Sequence, residues 1–179
     1  FENLCKAVAL LHRDGIVHGN LQESNVMVRE VDGQLHVSFV NYTVASCRNT
    51  EQNDRIQIHR QRFLHAAYAA PEQLESPEKP WSKAVDFYAV GILLYEMLEG
   101  RFPFFPGEPR RYQSVPPFTQ QREIPPTLIE LLRELLAYKA NDRIQHVAAV
   151  ESVLYQLRMS AAAHLTIGWT TQLSIDGRS

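Results

Sequence analysis

Two short phrases near the start of the chain contain the residue types that proton transfer and metal binding require. The first is His12-Arg13-Asp14, and the second, His18-Gly19-Asn20, begins six residues later. A positioned carboxylate can accept a hydroxyl proton, and a side-chain oxygen can ligate a divalent cation. One loop can serve both tasks when an Asn ligand follows the proton acceptor by five residues and a β-strand begins close behind it.

Only the second phrase has this spacing. Five residues after Asp14 lies Gly19, with no strand behind it, whereas five residues after Asn20 lies Asn25, which opens the apolar run NVMV. We therefore expect residue 20 to occupy the proton-acceptor position. The first phrase is then the end of a helix and its exit turn.

Apolar periodicity predicts the elements around the second phrase. Helical spacing in residues 1–11 predicts an amphipathic helix that ends near Gly15. Two β-type runs, residues 25–28 and 35–40, flank Asp32-Gly33, a pair typical of a tight hairpin. Residues 44–69 lack periodicity and are rich in Arg, so we expect a long surface segment there.

The second half of the chain is predicted to be helical. Residues 84–98 are apolar almost all round, which is typical of a helix buried in the middle of a domain. Prolines between residues 103 and 117 favour a loop. The capping box of residues 127–130 predicts a helix over residues 127–139. A further amphipathic helix is indicated by Val147, Val150, Leu154 and Leu157.

The composition is typical of one globular domain. The 179 residues are 45% hydrophobic and 21% charged, with a net charge of −2, so we expect no nucleic-acid partner. Cys5 and Cys47 are too few for a disulfide framework, so we expect reduced thiols and a cytoplasmic location. No apolar run is long enough for a membrane span. The chain begins inside a helical pattern and without Met, so we expect a fragment of a longer protein.

The order of these landmarks resembles the C-terminal lobe (C-lobe) of the eukaryotic protein kinase superfamily. Residues 18–25 match the HRDLKxxN phrase, residues 41–43 fall at DFG, residues 70–72 are an intact APE, and residues 86–91 resemble DxWSxG. The resemblance covers roughly residues 1–158. It implies a mainly α fold with a small β-hairpin beside the catalytic loop, and an N-terminal lobe (N-lobe) that is absent from this chain. It also implies an activation segment over residues 41–72 and a tail over residues 159–179.

Three substitutions fall on the positions that the resemblance makes catalytic. Asn20 stands where the family has its Asp base, and an amide cannot usefully accept a proton near neutral pH, although it can orient a hydroxyl. Gln22 replaces a Lys that neutralises the transferring phosphoryl group. Asn41 replaces the metal-binding Asp of DFG, which leaves Asn25 and Asn41 as weak, neutral metal ligands. ATP and Mg²⁺ are the implied cofactors, and we expect their binding to be weak or absent.

The resemblance also implies supporting roles. Asp86 would accept backbone hydrogen bonds from the loop around His18, and His18, Tyr42 and Asp86 would form the lower part of a stacked spine. Met27 would lie under an adenine ring, and its alternative is simple core filling. Glu72 and Arg143 would form a buried ion pair.

Position 19 has lost the Arg that clamps a phosphate on the activation segment. A phosphate on Thr43, Thr50 or Tyr68 would therefore lack its usual anchor.

Three hypotheses of function follow. The first is a pseudokinase, a catalytically impaired kinase domain that acts as a scaffold or allosteric regulator in signalling. Its partners would be proteins, such as another kinase or a second copy of itself. The second is an active atypical protein kinase with compensating groups in the N-lobe, which an upstream GxGxxG and a VAIK-like Lys would favour. The third is a truncated gene product without a function of its own.

A narrower likeness concerns residues 91–158, which are loosely similar to the pseudopodium-enriched atypical kinase scaffolds. That likeness implies dimerisation helices beyond Ser179. Residues 164–169 would lead into these helices, or form a tail with one packed Trp.

Overall fold

The computed structural model describes residues 1–47, 60–105, 114–119 and 124–160. Several regions named above lie outside these ranges: Thr50 with most of the segment around it, part of the proline-rich loop, and residues 161–179.

The first 47 residues form one helix and two small antiparallel sheets. Helix α1 spans Glu2–Arg13, and strand β1, Ile16–Val17, follows it after one turn. Strands β2, Val26–Val31, and β3, Gln34–Phe39, form a hairpin whose two turn residues, Asp32 and Gly33, have φ values of 50° and 74°. Positive φ at both positions suits the twist of a two-residue hairpin, so the predicted hairpin is confirmed.

Two details of this region differ from the prediction. Asn25 does not belong to a strand, because it ends the 3₁₀ turn Glu23–Asn25 that precedes β2. Strand β4, Ser46–Cys47, pairs with β1 in a second sheet that the sequence does not predict. Strands of two residues are too short to show an alternating pattern.

The remainder of the described chain is helical. Helix α2 spans Pro71–Glu75, α3 spans Ala84–Glu99, α4 spans Pro126–Leu135, and α5 covers residues 147–160. Short 3₁₀ turns lie at Arg60–Phe63 and Ala140–Asp142. Residues 84–95 of α3 are all buried, which confirms the prediction of a central helix.

Helix α4 departs from its prediction at both ends. It begins at Pro126 without a side-chain cap, so the capping-box prediction is wrong. Proline suits the first helical position because its missing N–H is not needed there. The helix ends at Leu135 rather than residue 139, and Arg143 donates hydrogen bonds to the carbonyls of Ala137 and Tyr138 in the turn that follows.

The core forms where α3 packs against α4, while α1 packs against β1 and β3. At Gly91 a Cβ atom would lie 2.9 Å from Leu135 Cβ, so this contact between α3 and α4 requires glycine. The hairpin, in contrast, exposes apolar side chains of both strands, namely Met27, Val28, Val31 and Leu35. Within the described ranges, no helix is both long and apolar enough to cross a membrane.

Candidate functional site

The backbone of residues 18–20 is held by one buried carboxylate. Asp86, on the first turn of α3, is 1% exposed. Its Oδ2 accepts the His18 N–H over 2.9 Å and its Oδ1 accepts the Gly19 N–H over 2.8 Å. His12 Nε2, from the last turn of α1, donates to the same Oδ2 over 2.9 Å. Three donors compensate the cost of burying this charge.

The His18 imidazole is held in its neutral form. Its Nε2 lies 3.1 Å from the Val40 carbonyl oxygen, so this nitrogen carries the proton. Its Nδ1 accepts the Asn20 N–H over 3.3 Å. Burial lowers the pKa of His18 below its usual 6.5, and the nearby Asp86 opposes this effect only in part. The ring also contacts Tyr42, with centroids 4.8 Å apart, so the structure brings His18, Tyr42 and Asp86 together.

Position 19 is adapted to glycine. Gly19 has φ 73°, in the left-handed region that side chains disfavour. A Cβ atom built there would lie 2.8 Å from Cε3 of Trp81, which is itself 6% exposed. Gln73 completes the contacts, since its Nε2 donates to the Gly19 carbonyl over 2.8 Å and its Oε1 accepts the Ala70 N–H over 2.9 Å. The end of the predicted activation segment is thereby tied to the loop without a phosphate.

Asn20, and not Asp14, lies in this loop. Asn20 is 5% exposed. The Asp14 side chain is 60% exposed and lies 3.2 Å from Arg13 Nε on the protein surface. Of the two residues, only Asn20 lies in the anchored loop, so it stays the residue predicted for the proton-acceptor position.

Three asparagines are joined in one chain of hydrogen bonds. Asn25 Nδ2 donates to the Asn20 carbonyl over 2.8 Å. Asn41 Nδ2 donates to Asn25 Oδ1 over a long 3.4 Å, and Thr43 Oγ1 donates to Asn41 Oδ1 over 2.6 Å. Asn41 has φ 62°, a left-handed conformation that Asn tolerates better than most residues. The two predicted metal ligands therefore contact each other directly.

The other predicted site residues lie around this chain of amides. Gln22 is half-buried and extended just before the 3₁₀ turn. Met27 is 53% exposed and does not belong to the core of the described residues. Its contact with an adenine ring stays a prediction.

The predicted ion pair is formed. Arg143, whose side chain is fully buried, places Nη1 and Nη2 2.6 and 2.7 Å from the two carboxylate oxygens of Glu72. It also donates to the carbonyls of Ala84, Ala137 and Tyr138. One guanidinium thus links α2, the start of α3 and the turn after α4.

Two candidate phosphorylation sites are described by the structure. The Thr43 hydroxyl is engaged by Asn41. Tyr68 is 5% exposed, and its hydroxyl donates to Glu96 Oε2 over 2.7 Å. Burial raises the pKa of this phenol well above its usual value. Tyr68 is therefore closed to a modifying enzyme in this conformation.

The sequence gives little sign of three residues that shape the loop. His12 lies at helical spacing from the buried residues of α1, and this spacing alone indicates that its side chain is buried. Gln73 and Trp81 act over long separations, and Gln73 bonds a residue 54 positions away. Neither follows from a local pattern.

The model of the protein kinase domain family matches residues 1–155. The chain belongs to this family. The structure is accordingly a fragment of the protein kinase fold.

Curated relatives are serine/threonine-protein kinases. PkaA of Streptomyces coelicolor is 35% identical over 126 residues, which cover 63% of this chain and 22% of that protein. Serine/threonine-protein kinase A of Synechocystis is 29% identical over 146 residues, covering 75% and 27%. PknD of Chlamydia trachomatis is 26% identical over 179 residues, covering 86% and 19%. The chain therefore spans roughly a fifth to a quarter of the length of these relatives.

Protein kinases generally use ATP with Mg²⁺, so the residues at the site must be tested against this ion. Mg²⁺ prefers carboxylate oxygens in octahedral geometry. Asn25 and Asn41 carry no charge, and the side-chain oxygen of each accepts a hydrogen bond. Mg²⁺ sites that also hold phosphates usually include one or two carboxylates, and both predicted ligands here are amides. The residues present do not fit Mg²⁺.

Proposed function

We propose that this chain is the C-lobe of a pseudokinase, a kinase domain that has lost phosphoryl transfer and acts through protein contacts. One observation carries the proposal: the anchored loop holds an amide, that of Asn20, at the position where the family resemblance puts the proton acceptor. Asn20 is buried in this loop, whose backbone is anchored by Asp86. The nearby acid, Asp14, points to solvent instead. A neutral amide can position a hydroxyl but cannot usefully take its proton.

The other two substitutions act in the same direction. Gln22 and Asn41 each place an amide where the family has a charged group that stabilises phosphoryl transfer. Losing a single group of this kind typically lowers the rate on the order of 10²–10³-fold. The three effects belong to one catalytic unit and are not additive, yet each lowers the rate.

The retained contacts support a scaffold or allosteric role. The Asp86 anchor, the Gln73 bridge and the Glu72–Arg143 pair all maintain the fold around the loop. Such a domain serves protein partners, including another kinase or a second copy of this protein, in the cytoplasm. The likeness of residues 91–158 to the pseudopodium-enriched scaffolds remains a prediction, and the proposal does not depend on it.

The proposal predicts no phosphoryl transfer by the full-length protein. Purified protein is incubated with Mg²⁺ and ATP labelled on the γ-phosphate, and labelling of itself and of a general protein substrate is measured. The wild type is expected to match a heat-inactivated sample. A triple variant with Asn20→Asp, Gln22→Lys and Asn41→Asp restores the missing charges and is expected to exceed the wild type.

The matched control adds a carboxylate away from the loop. Asn141→Asp changes an exposed residue of the last 3₁₀ turn, and this variant is expected to transfer no labelled phosphate, like the wild type. Transfer by the homogeneous wild-type protein would favour the atypical-kinase alternative and overturn the pseudokinase proposal.

A further inference from the structure

The hydrogen bonds between the amides run in one direction. Asn25 Nδ2 donates to the Asn20 carbonyl, which has no proton to give, so this contact fixes which end of the Asn25 amide is the oxygen. That oxygen therefore faces Asn41 and needs a donor. Asn41 supplies its Nδ2, and its own oxygen then faces the Thr43 hydroxyl, which donates to it.

The opposite orientation of Asn41 is disfavoured by the same contacts. Turning its amide over would set Asn41 Oδ1 against Asn25 Oδ1 at about the present 3.4 Å, with no proton between the two oxygens. Only the observed orientation gives Asn25 Oδ1 a donor, whereas the Thr43 hydroxyl can donate or accept and so suits either orientation of Asn41. Buried polar groups require such partners, and Asn25 is 4% exposed.

A carboxylate at position 41 would reverse this balance. It cannot donate to Asn25 Oδ1, so two oxygens would face each other, and a cation between them would relieve the repulsion. The asparagine instead points a donor at Asn25. The Asn41 NH₂ group thus occupies the role that a divalent cation would otherwise have.

We propose that Asn41 replaces the divalent cation of this site with its own amide donor, so that the site is complete without metal and rejects Mg²⁺ and Mn²⁺. The proposal concerns the same site as the proposed function. It rests on the proposed function and adds that any ligand of this site binds without a divalent cation.

Manganese binding tests this directly. Free and bound Mn²⁺ are measured by electron paramagnetic resonance on the full-length protein, without nucleotide and with ADP, for the wild type and for Asn41→Asp. The wild type is expected to bind no Mn²⁺ beyond a control variant. Asn41→Asp is expected to bind the ion on the order of tenfold more tightly than the control variant does, the scale on which ligand surroundings alter metal affinity.

The control is Gln156→Glu, which adds one negative charge at an exposed position of α5. The Asn41→Asp variant should fold, because Asp also tolerates the left-handed backbone of residue 41, and circular dichroism verifies this. Wild-type binding equal to that of Asn41→Asp overturns the inference. So does a folded Asn41→Asp protein that binds no more Mn²⁺ than Gln156→Glu does.

The outcome is separable from that of the transfer assay. If the wild-type protein binds Mn²⁺ as Asn41→Asp does but transfers no phosphate, this inference is wrong and the pseudokinase proposal is unaffected. If the wild-type protein transfers phosphate, the proposed function is wrong whatever its affinity for manganese.

Discussion

At position 19 the loop requires a left-handed backbone and leaves no room for a side chain. The N–H of Gly19 is bound by Asp86 and its carbonyl by Gln73, while φ is 73°. The Trp81 ring lies where a side chain would begin. An Arg in this position would have to displace the Trp81 ring, so the packing around residue 19 favours glycine over the Arg that the resemblance would place there.

Gly19→Ala is therefore expected to destabilise the protein by about 2–4 kcal/mol. About 1–3 kcal/mol comes from the left-handed backbone, and the clash with Trp81 adds to it. Gly33→Ala is the matched control, because Gly33 has φ 74° but no atom within 4 Å of the added Cβ. It should lose only the backbone contribution. Urea unfolding of both variants measures the difference, and equal losses would exclude a role for Trp81.

Single residues also show what sequence can and cannot reveal about the site. The register of the loop needs only the count from residue 20 to Asn25 and the strand behind it. The direction of the amides follows instead from contacts between Asn41, Asn25 and the carbonyl of residue 20, which exist only in the folded chain. Gln73 and Trp81 contact a loop that is distant in sequence, and such contacts leave no periodic signal in the sequence around these residues.

At the scale of elements, Arg143 is the main tether between the helices. It pairs with Glu72 on α2 and donates to Ala84 at the start of α3, and its guanidinium lies 4.9 Å from the centre of the Tyr88 ring. The same side chain donates to the carbonyls of Ala137 and Tyr138 in the turn after α4, so one residue holds α2, α3 and this turn together.

Removing this tether is expected to be costly. Arg143→Met leaves the Glu72 carboxylate and three carbonyls without their donor, so we expect a loss of about 3–5 kcal/mol. The control is Arg133→Met on α4. Its side chain is 63% exposed and pairs with an equally exposed Glu130, so the loss should stay within about 0.5 kcal/mol. Thermal and urea unfolding measure both, and similar losses would show that Arg143 is not a tether.

Across the whole molecule, prediction succeeds where a local stretch carries a strong signal and fails where contacts distant in sequence decide the element. The apolar run of residues 84–98 predicts the central helix because a helix buried on every side needs no polar face. The hairpin follows from its turn residues alone, although its strands are largely exposed. The pair of two-residue strands is not predictable in this way, because tertiary packing decides it. The start of α4 does have a local signal, proline at the first helical position, which the capping-box interpretation did not use.

The free energy of unfolding depends on pH, and His18 is expected to make it smaller as the pH falls. Its neutral imidazole donates through Nε2 to Val40 and accepts through Nδ1 from Asn20. A second proton on Nδ1 would face the Asn20 N–H, and burial also lowers the pKa of His18. The unfolded chain therefore binds this proton below about pH 6.5, while the native state does not until a lower pH. Stability supplied by His18 is present above that range and is lost as the pH falls through it.

The wild type is accordingly expected to lose stability between pH 7.5 and 5.5, and His18→Gln is expected to show a flatter profile. Glutamine keeps a donor for Val40 but cannot titrate, so the variant should be less stable at pH 7.5 and lose less on acidification. One proton can contribute at most about 1.4 kcal/mol per pH unit, and urea midpoints at both pH values resolve a fraction of that. His36→Gln, an exposed position on β3, is the control and should keep the wild-type slope. A slope that survives in His18→Gln would assign the acid sensitivity to another group.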